Sequence, residues 1–161
     1  MQKKKQTFSF EIFDSAGELE AADAALLSSA QQATQTAYAP YSRFRVAAVA
    51  RLSSGKTVIG TNQENASFPA GICAERVLLS VVSSQATQDL IQAIAISYSN
   101  ETGKSDRPIS PCGICRQSLQ EYEQRYHQPI RLILGGLHGK IYIIPKASLL
   151  LPLAFTSDEL Q

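Results

Sequence analysis

Apolar and polar positions alternate along this chain in two rhythms, one of period two and one near 3.6, and the changes between them mark the elements. Phe8, Phe10 and Ile12 alternate with Thr7, Ser9 and Glu11, as in a short strand. Ser15-Ala16-Gly17-Glu18 then has the S-x-x-E form of a capping box. Leu19, Ala22, Leu26, Ala30, Ala33 and Ala37 follow at helical spacing, predicting a helix from Ala16 to Ala37 that stops before Pro40. The apolar run Val46 to Leu52, the turn signal Ser53-Ser54-Gly55-Lys56 and the β-branched Thr57-Val58-Ile59 predict a hairpin. Cys73 to Gln85 carries Val77, Leu78, Val81 and Val82 as the stripe of a buried helix. Ala93 to Tyr98 is apolar at nearly every position, as expected of a strand covered on both faces. A polar loop from Asn100 to Pro108, a helix from Gly113 to Tyr126, and strands at Arg131–Leu134 and Ile141–Ile144 complete the series. This order predicts an α/β fold in three layers, with a mixed sheet of about five strands covered by helices. Residues 1–14 are expected to form a partly flexible N-terminal extension, and residues 15–161 a single domain.

Composition narrows the function classes. The chain has 161 residues, 44% hydrophobic and 18% charged, enough for one domain with a sizeable core and against disorder. No apolar run approaches the roughly 18 residues of a membrane span. Lys3, Lys4 and Lys5 are not followed by an apolar signal core, so a cytoplasmic location is expected. Fifteen basic and 14 acidic residues give a net charge of +1 with no Trp, which argues against a nucleic-acid partner.

Three cysteines without an export signal argue for metal binding or a reactive thiol rather than a disulfide framework. All three fall at predicted helix starts: Cys73 in one, Cys112 and Cys115 in the other. A C-x-x-C turn lets two sulfurs converge on one ion, and a helix N-terminus favours the thiolate that binds zinc. Three protein ligands leave one position open, as a catalytic zinc site does. His127 or His138 would be needed to close the site, and neither has ligand spacing to a cysteine. The C-x-x-C alone would also suit a redox dithiol. Glu75 lies two residues past Cys73, about 200° around the helix, so it can reach the space beside a metal without ligating it. There it could move protons to and from a water. Three thiolates and Zn²⁺ sum to −1. Arg76 and Arg116, each directly after a motif residue, could offset that surplus by hydrogen bonding to sulfur.

Cys73-Ala74-Glu75 followed by Pro111-Cys112-Gly113-Ile114-Cys115 matches the pattern of zinc deaminases, in which a non-ligating Glu is the acid/base. With Tyr38 to Val46, Gly60 to Ser67 and Leu150 to Phe155, the chain resembles the small homotetrameric cytidine deaminases of nucleoside salvage, from about Ala37 to Phe155. The resemblance implies zinc held by Cys73, Cys112 and Cys115, and hydrolytic deamination of cytidine and 2′-deoxycytidine with Glu75 as proton carrier. It further implies that Asn62 and Glu64 hold the ribose hydroxyl, that Ala66 belongs to the pyrimidine-binding loop, and that Phe44 packs on the base. Phe155 would complete a neighbouring subunit's site in a homotetramer. The family commonly has Gly where Ala47 stands and Tyr where Phe68 stands. Rival expectations are an enzyme for a related aminopyrimidine nucleoside, a polynucleotide deaminase, and a zinc scaffold without activity.

Overall fold

Alternation within the strands sorts the apolar side chains onto two faces of one sheet, and a helical layer covers each. The structure is a computed structural model that describes residues 1–86 and 88–160. Thr87 and Gln161, both within the expected domain 15–161, lie outside the described residues. The strands are β1 (Glu11–Phe13), β2 (Phe44–Leu52), β3 (Thr57–Thr61), β4 (Ile91–Asn100), β5 (Arg131–Gly135) and β6 (Ile141–Ile144). The helices are α1 (Ala21–Ala33), α2 (Ala74–Gln85) and α3 (Gly113–Tyr126). Sheet order is β1-β6-β5-β4-β2-β3, with β4 and β5 parallel and every other pair antiparallel.

Ala48, Ala50, Ile94, Ile96, Leu132 and Leu134 point to α2 and α3, where they meet Leu78, Val82 and Leu119. Their chain neighbours Ala47, Val49, Ala93, Ala95 and Ile133 point to α1 and meet Leu26, Leu27 and Ala30. β4 is buried on both faces, as its unbroken apolar run predicts. Burying each such Leu or Ile contributes about 1.5–3 kcal/mol. Two buried carboxylates tie the layers together. Asp23, in the first turn of α1, pairs with Arg51 of β2 at 3.5 Å and with Arg131 of β5. Glu123 of α3 accepts from the backbone N–H groups of Ile130 at 2.7 Å, Ala147 at 2.9 Å and Ser148 at 3.2 Å.

Two boundaries differ from the sequence pattern. The N-terminal strand is Glu11–Phe13, and it adds a sixth strand by pairing with β6, Ile12 opposite Tyr142. Phe8, Phe10 and Ile12 mark its half-exposed face, where Phe10 lies 5.1 Å from the Tyr142 ring, whereas the residue that packs on the α1 core is Phe13. The helix expected over Ala16–Ala37 is broken into a 3₁₀ turn at Ala16–Glu18, α1, and a second 3₁₀ turn at Thr34–Thr36. Ser15 makes no capping bond; Glu18 instead accepts the Asp14 N–H at 3.0 Å, and Leu19 and Glu20 are extended. At the far end, the Thr34 and Thr36 hydroxyls donate to the Gln31 and Ala33 carbonyls and compete with the helical ladder.

The approach of α2 to the sheet depends on Gly60 in β3. A Cβ built there would stand 2.4 Å from the Ala74 oxygen and 2.4 Å from the Leu78 nitrogen, both backbone atoms that cannot turn aside. Gly60→Ala should therefore push the start of α2 off the sheet and destabilise the protein by about 1–3 kcal/mol, read as a lowered midpoint in denaturant unfolding. An unchanged midpoint would mean that this approach is not tight.

Candidate active site

Both strand-to-helix junctions that carry cysteine open on the same side of the sheet. Cys73 is the N-cap of α2 and Cys112 the N-cap of α3, both with extended backbone and neither capping its helix through the side chain. Their sulfurs turn toward each other, 3.8 Å apart, and Cys112 lies 3.5 Å from Cys115 one helical turn on. All three Sγ atoms fall within 4.8 Å of one another. Three thiolates about 2.3 Å from a tetrahedral zinc would stand about 3.8 Å apart, so the donor set fits that ion in number, chemistry and spacing. His127 and His138 are exposed and outside this group. His127 instead closes α3 in the left-handed conformation (φ 49°).

The thiols are unequal. Cys73 is held below the usual thiol range, chiefly by a hydrogen bond with Cys115 and also by Cys112 and the charge of Arg76. Cys115 is pushed up by that same partnership, by burial and by the nearby Glu75 carboxylate. Glu75 is 5% exposed, and burial raises its carboxyl above the ordinary value.

A cavity of about 370 Å³ opens beside the sulfurs. Phe44, Asn62, Cys73, Glu75 and Cys112 line it, so five of the residues singled out from sequence share one space. Ser42, Val46, Ala74, Ile109 and Ser110 complete the wall. Ile109 and Ser110 immediately precede Pro111-Cys112, and that adjacency was the signal available for them.

Asn62 and Glu64 organise the cavity's edge. The Asn62 Oδ1 accepts the Val46 N–H at 2.7 Å and its Nδ2 donates to the Phe44 carbonyl at 3.0 Å. The Glu64 Oε2 accepts the N–H groups of Tyr41 at 2.8 Å and Ser42 at 3.2 Å. Hydrogen bonding from the Ser42 side chain, with those two backbone groups, holds Glu64 below the usual carboxylate range. Between these clamps Arg43 sits in the left-handed region (φ 56°), a conformation costly for a side chain with Cβ. The turn delivers Phe44 to a stack on Tyr98, ring centroids 4.9 Å apart.

The other candidates do not line the cavity itself. Glu64, Ala66 and Phe155 are not among the lining residues, and Ala66 and Phe155 are exposed. Phe155 is held by its carbonyl, which accepts from Gln117 at 2.9 Å. Arg76 lies half-buried in a cleft between α2 and α3 with Tyr122 and Arg125. The Arg116 guanidinium is directed at two carbonyls, Pro111 at 2.9 Å and Leu150 at 3.0 Å, rather than at sulfur. Ala47 is fully buried against α1, and Phe68 is exposed with an edge-to-face contact to Tyr41.

The model of the cytidine and deoxycytidylate deaminase zinc-binding region matches residues 20–127, which include every cysteine and Glu75. The chain belongs to this family. It is 38% identical over 136 residues to a cytidine deaminase of Halalkalibacterium halodurans, covering 84% of this chain and 96% of that one. A crystal structure of cytidine deaminase from Burkholderia pseudomallei superimposes with a TM-score of 0.70 at 35% identity, over 81% of this chain and 97% of that one. That from Mycobacterium tuberculosis superimposes with a TM-score of 0.62 at 30% identity, over 81% and 94%. The protein is therefore a deaminase-family hydrolase with the family's zinc-binding region, and none of its helices among the described residues is long and apolar enough to cross a membrane.

Removing one sulfur leaves two donors where the geometry offers three. Cys112→Ala should lose nearly all bound zinc, measured by elemental analysis of the purified protein against the parent. Full zinc retention would exclude Cys112 as a ligand.

Proposed function

We propose that the protein converts cytidine and 2′-deoxycytidine to uridine and 2′-deoxyuridine, adding one water and releasing one ammonia. The observation that carries this reading is the buried Glu75 carboxylate lining the same cavity as Cys73 and Cys112. A closed structural site or a redox dithiol has no use for such a group. Zinc held by Cys73, Cys112 and Cys115 would supply the Lewis acidity that lets a water lose its proton near neutral pH.

Glu75 takes that proton as the water oxygen approaches C4 of the pyrimidine. It delivers the proton to N3, which makes C4 more electrophilic as the tetrahedral centre forms. Glu75 then takes the remaining proton from the added oxygen and gives it to the amine, so that the C4–N bond breaks, C4 becomes a carbonyl and the proton count closes with ammonia. Burial supports both transfers, because a raised carboxyl pKa lowers the cost of carrying the proton. Phe44, already stacked on Tyr98, offers its ring to the base. Asn62 and Glu64 receive the ribose hydroxyl, since an amide and a carboxylate together donate to it and accept from it. Ala66 contributes backbone groups that read the base edge.

The same reading extends to assembly and context. Phe155 is exposed on a tail anchored to α3, which suits a role across a subunit boundary. We take the enzyme to be a homotetramer with shared sites, acting in the cytoplasm in pyrimidine nucleoside salvage. Residues 15–161 are its single domain, and residues 1–14 are the extension that contributes β1.

Incubation with cytidine, followed by the fall in ultraviolet absorbance as uridine forms, tests the activity directly. Glu75→Gln keeps shape but cannot carry a proton; turnover should fall at least about 10²–10⁴-fold with zinc retained. Turnover within tenfold of the parent would remove Glu75 from the chemistry. For the shared site, Phe155→Ala chains mixed with Glu75→Gln chains should regain activity neither shows alone. Mixed particles that stay inactive, with Phe155→Ala alone strongly impaired, would place Phe155 in its own chain's site.

A further inference from the structure

We infer that Arg116 is a positioning residue that couples the Cys112–Cys115 turn to the C-terminal segment bearing Phe155, an inference that rests on the zinc and tail roles proposed above. Its backbone N–H donates to the Cys112 carbonyl at 2.9 Å, continuing the first turn of α3. Its Nε donates to the Pro111 carbonyl at 2.9 Å and its Nη1 to the Leu150 carbonyl at 3.0 Å. A guanidinium is a planar fork, so two acceptors on adjacent nitrogens are held at a fixed separation. One acceptor precedes a zinc-ligating cysteine directly. The other ends the 3₁₀ turn Ala147–Leu150, from which the tail departs.

Four residues of α3 hold that tail among the described residues, one of them Gln124, which donates to Asp158 at 3.2 Å. Glu123 accepts the N–H groups of Ala147 and Ser148, Arg116 holds Leu150, and Gln117 holds Phe155. Of these, Arg116 alone also grips the cysteine turn. Between its anchor and that of Gln117, Leu153 is forced into the left-handed region (φ 57°) while 98% exposed. No packing of its side chain explains that strain, so the anchors on either side impose it. The tail's path is thus set from α3, and the turn that sets it also sets the Cys112 sulfur.

This role differs from charge compensation at sulfur, and the two separate experimentally. The readouts are the rate at which the zinc-loaded protein gives up metal to a chromophoric chelator, and amide hydrogen exchange over residues 147–155. Arg116→Ala should speed zinc release about tenfold or more and raise exchange in the tail. Arg116→Lys should reproduce both effects, because an ammonium keeps the charge but lacks the fork. Gln117→Leu should raise exchange around Phe155 and leave zinc release within twofold of the parent.

Arg116→Ala that is folded by circular dichroism, with either rate within twofold of the parent, would overturn the coupling. So would Arg116→Lys with both rates parental, which also decides the matter if the alanine variant does not fold. A parent that holds zinc yet deaminates no nucleoside would overturn the activity proposed above and leave these two rates to judge the coupling.

Discussion

Two helix N-termini have to meet at one point for this site to exist, and much of the fold serves that constraint. Each cysteine pair is local in sequence or remote, never both: Cys112 and Cys115 are joined by one helical turn, while Cys73 arrives from a different helix. Their convergence depends on α2 and α3 sharing one face of the sheet. It depends also on β3 admitting α2 to backbone contact at Gly60. Three thiols in mutual contact cannot all ionise cheaply; one falls below the ordinary range as another rises. A cation at their centre relieves that conflict, which is why the arrangement suits a metal better than a redox pair.

The edge of the cavity is built by polar groups that hold the backbone first. Asn62 uses its amide to bridge Phe44 and Val46, and Glu64 uses one carboxylate oxygen on Tyr41 and Ser42. Those bonds stabilise a turn that contains a left-handed Arg43. The amide retains a second N–H and the carboxylate a second oxygen, Oε1, so anchoring the turn and meeting a hydroxyl do not compete. A site of this kind is set before substrate arrives, and little of the binding free energy goes into ordering it.

The chemistry was more legible in the sequence than the geometry that supports it. C-x-x-C spacing, a Glu two residues past a cysteine and helix starts at both motifs are local facts, and local facts survive folding. The apolar runs of β2 and β4 were legible for the same reason. Where the reading went astray, a tertiary partner had decided the outcome. Ser15 looked like a cap, but the chain runs extended through Leu19 and Glu20 before α1 begins. Phe8, Phe10 and Ile12 looked like the apolar positions of a strand, but the strand is Glu11–Phe13, and Phe13 is its residue that packs on the core. Arg116 sits where it could reach sulfur, yet Leu150, 34 residues away, claims one arm of its fork. No window along the chain contains that contact.

The C-terminal tail shows what such long-range anchoring can accomplish. A free segment ending in Leu153, Ala154 and Phe155 would collapse onto the nearest apolar surface to remove its side chains from water. Here the anchors act on backbone carbonyls, at Leu150 and Phe155, and leave Leu153 and the Phe155 ring exposed. Gln124 adds a further tie to Asp158, two turns along the same face of α3 from Gln117. Holding a chain by its backbone while presenting its side chains outward is unfavourable for an isolated molecule and favourable for one that meets another copy. The Arg116 fork matters in that setting because it sets how far the presented ring can move relative to the sulfurs of its own chain. If neighbouring subunits exchange such rings, each metal centre is held in register with the next through an arginine rather than through direct contact.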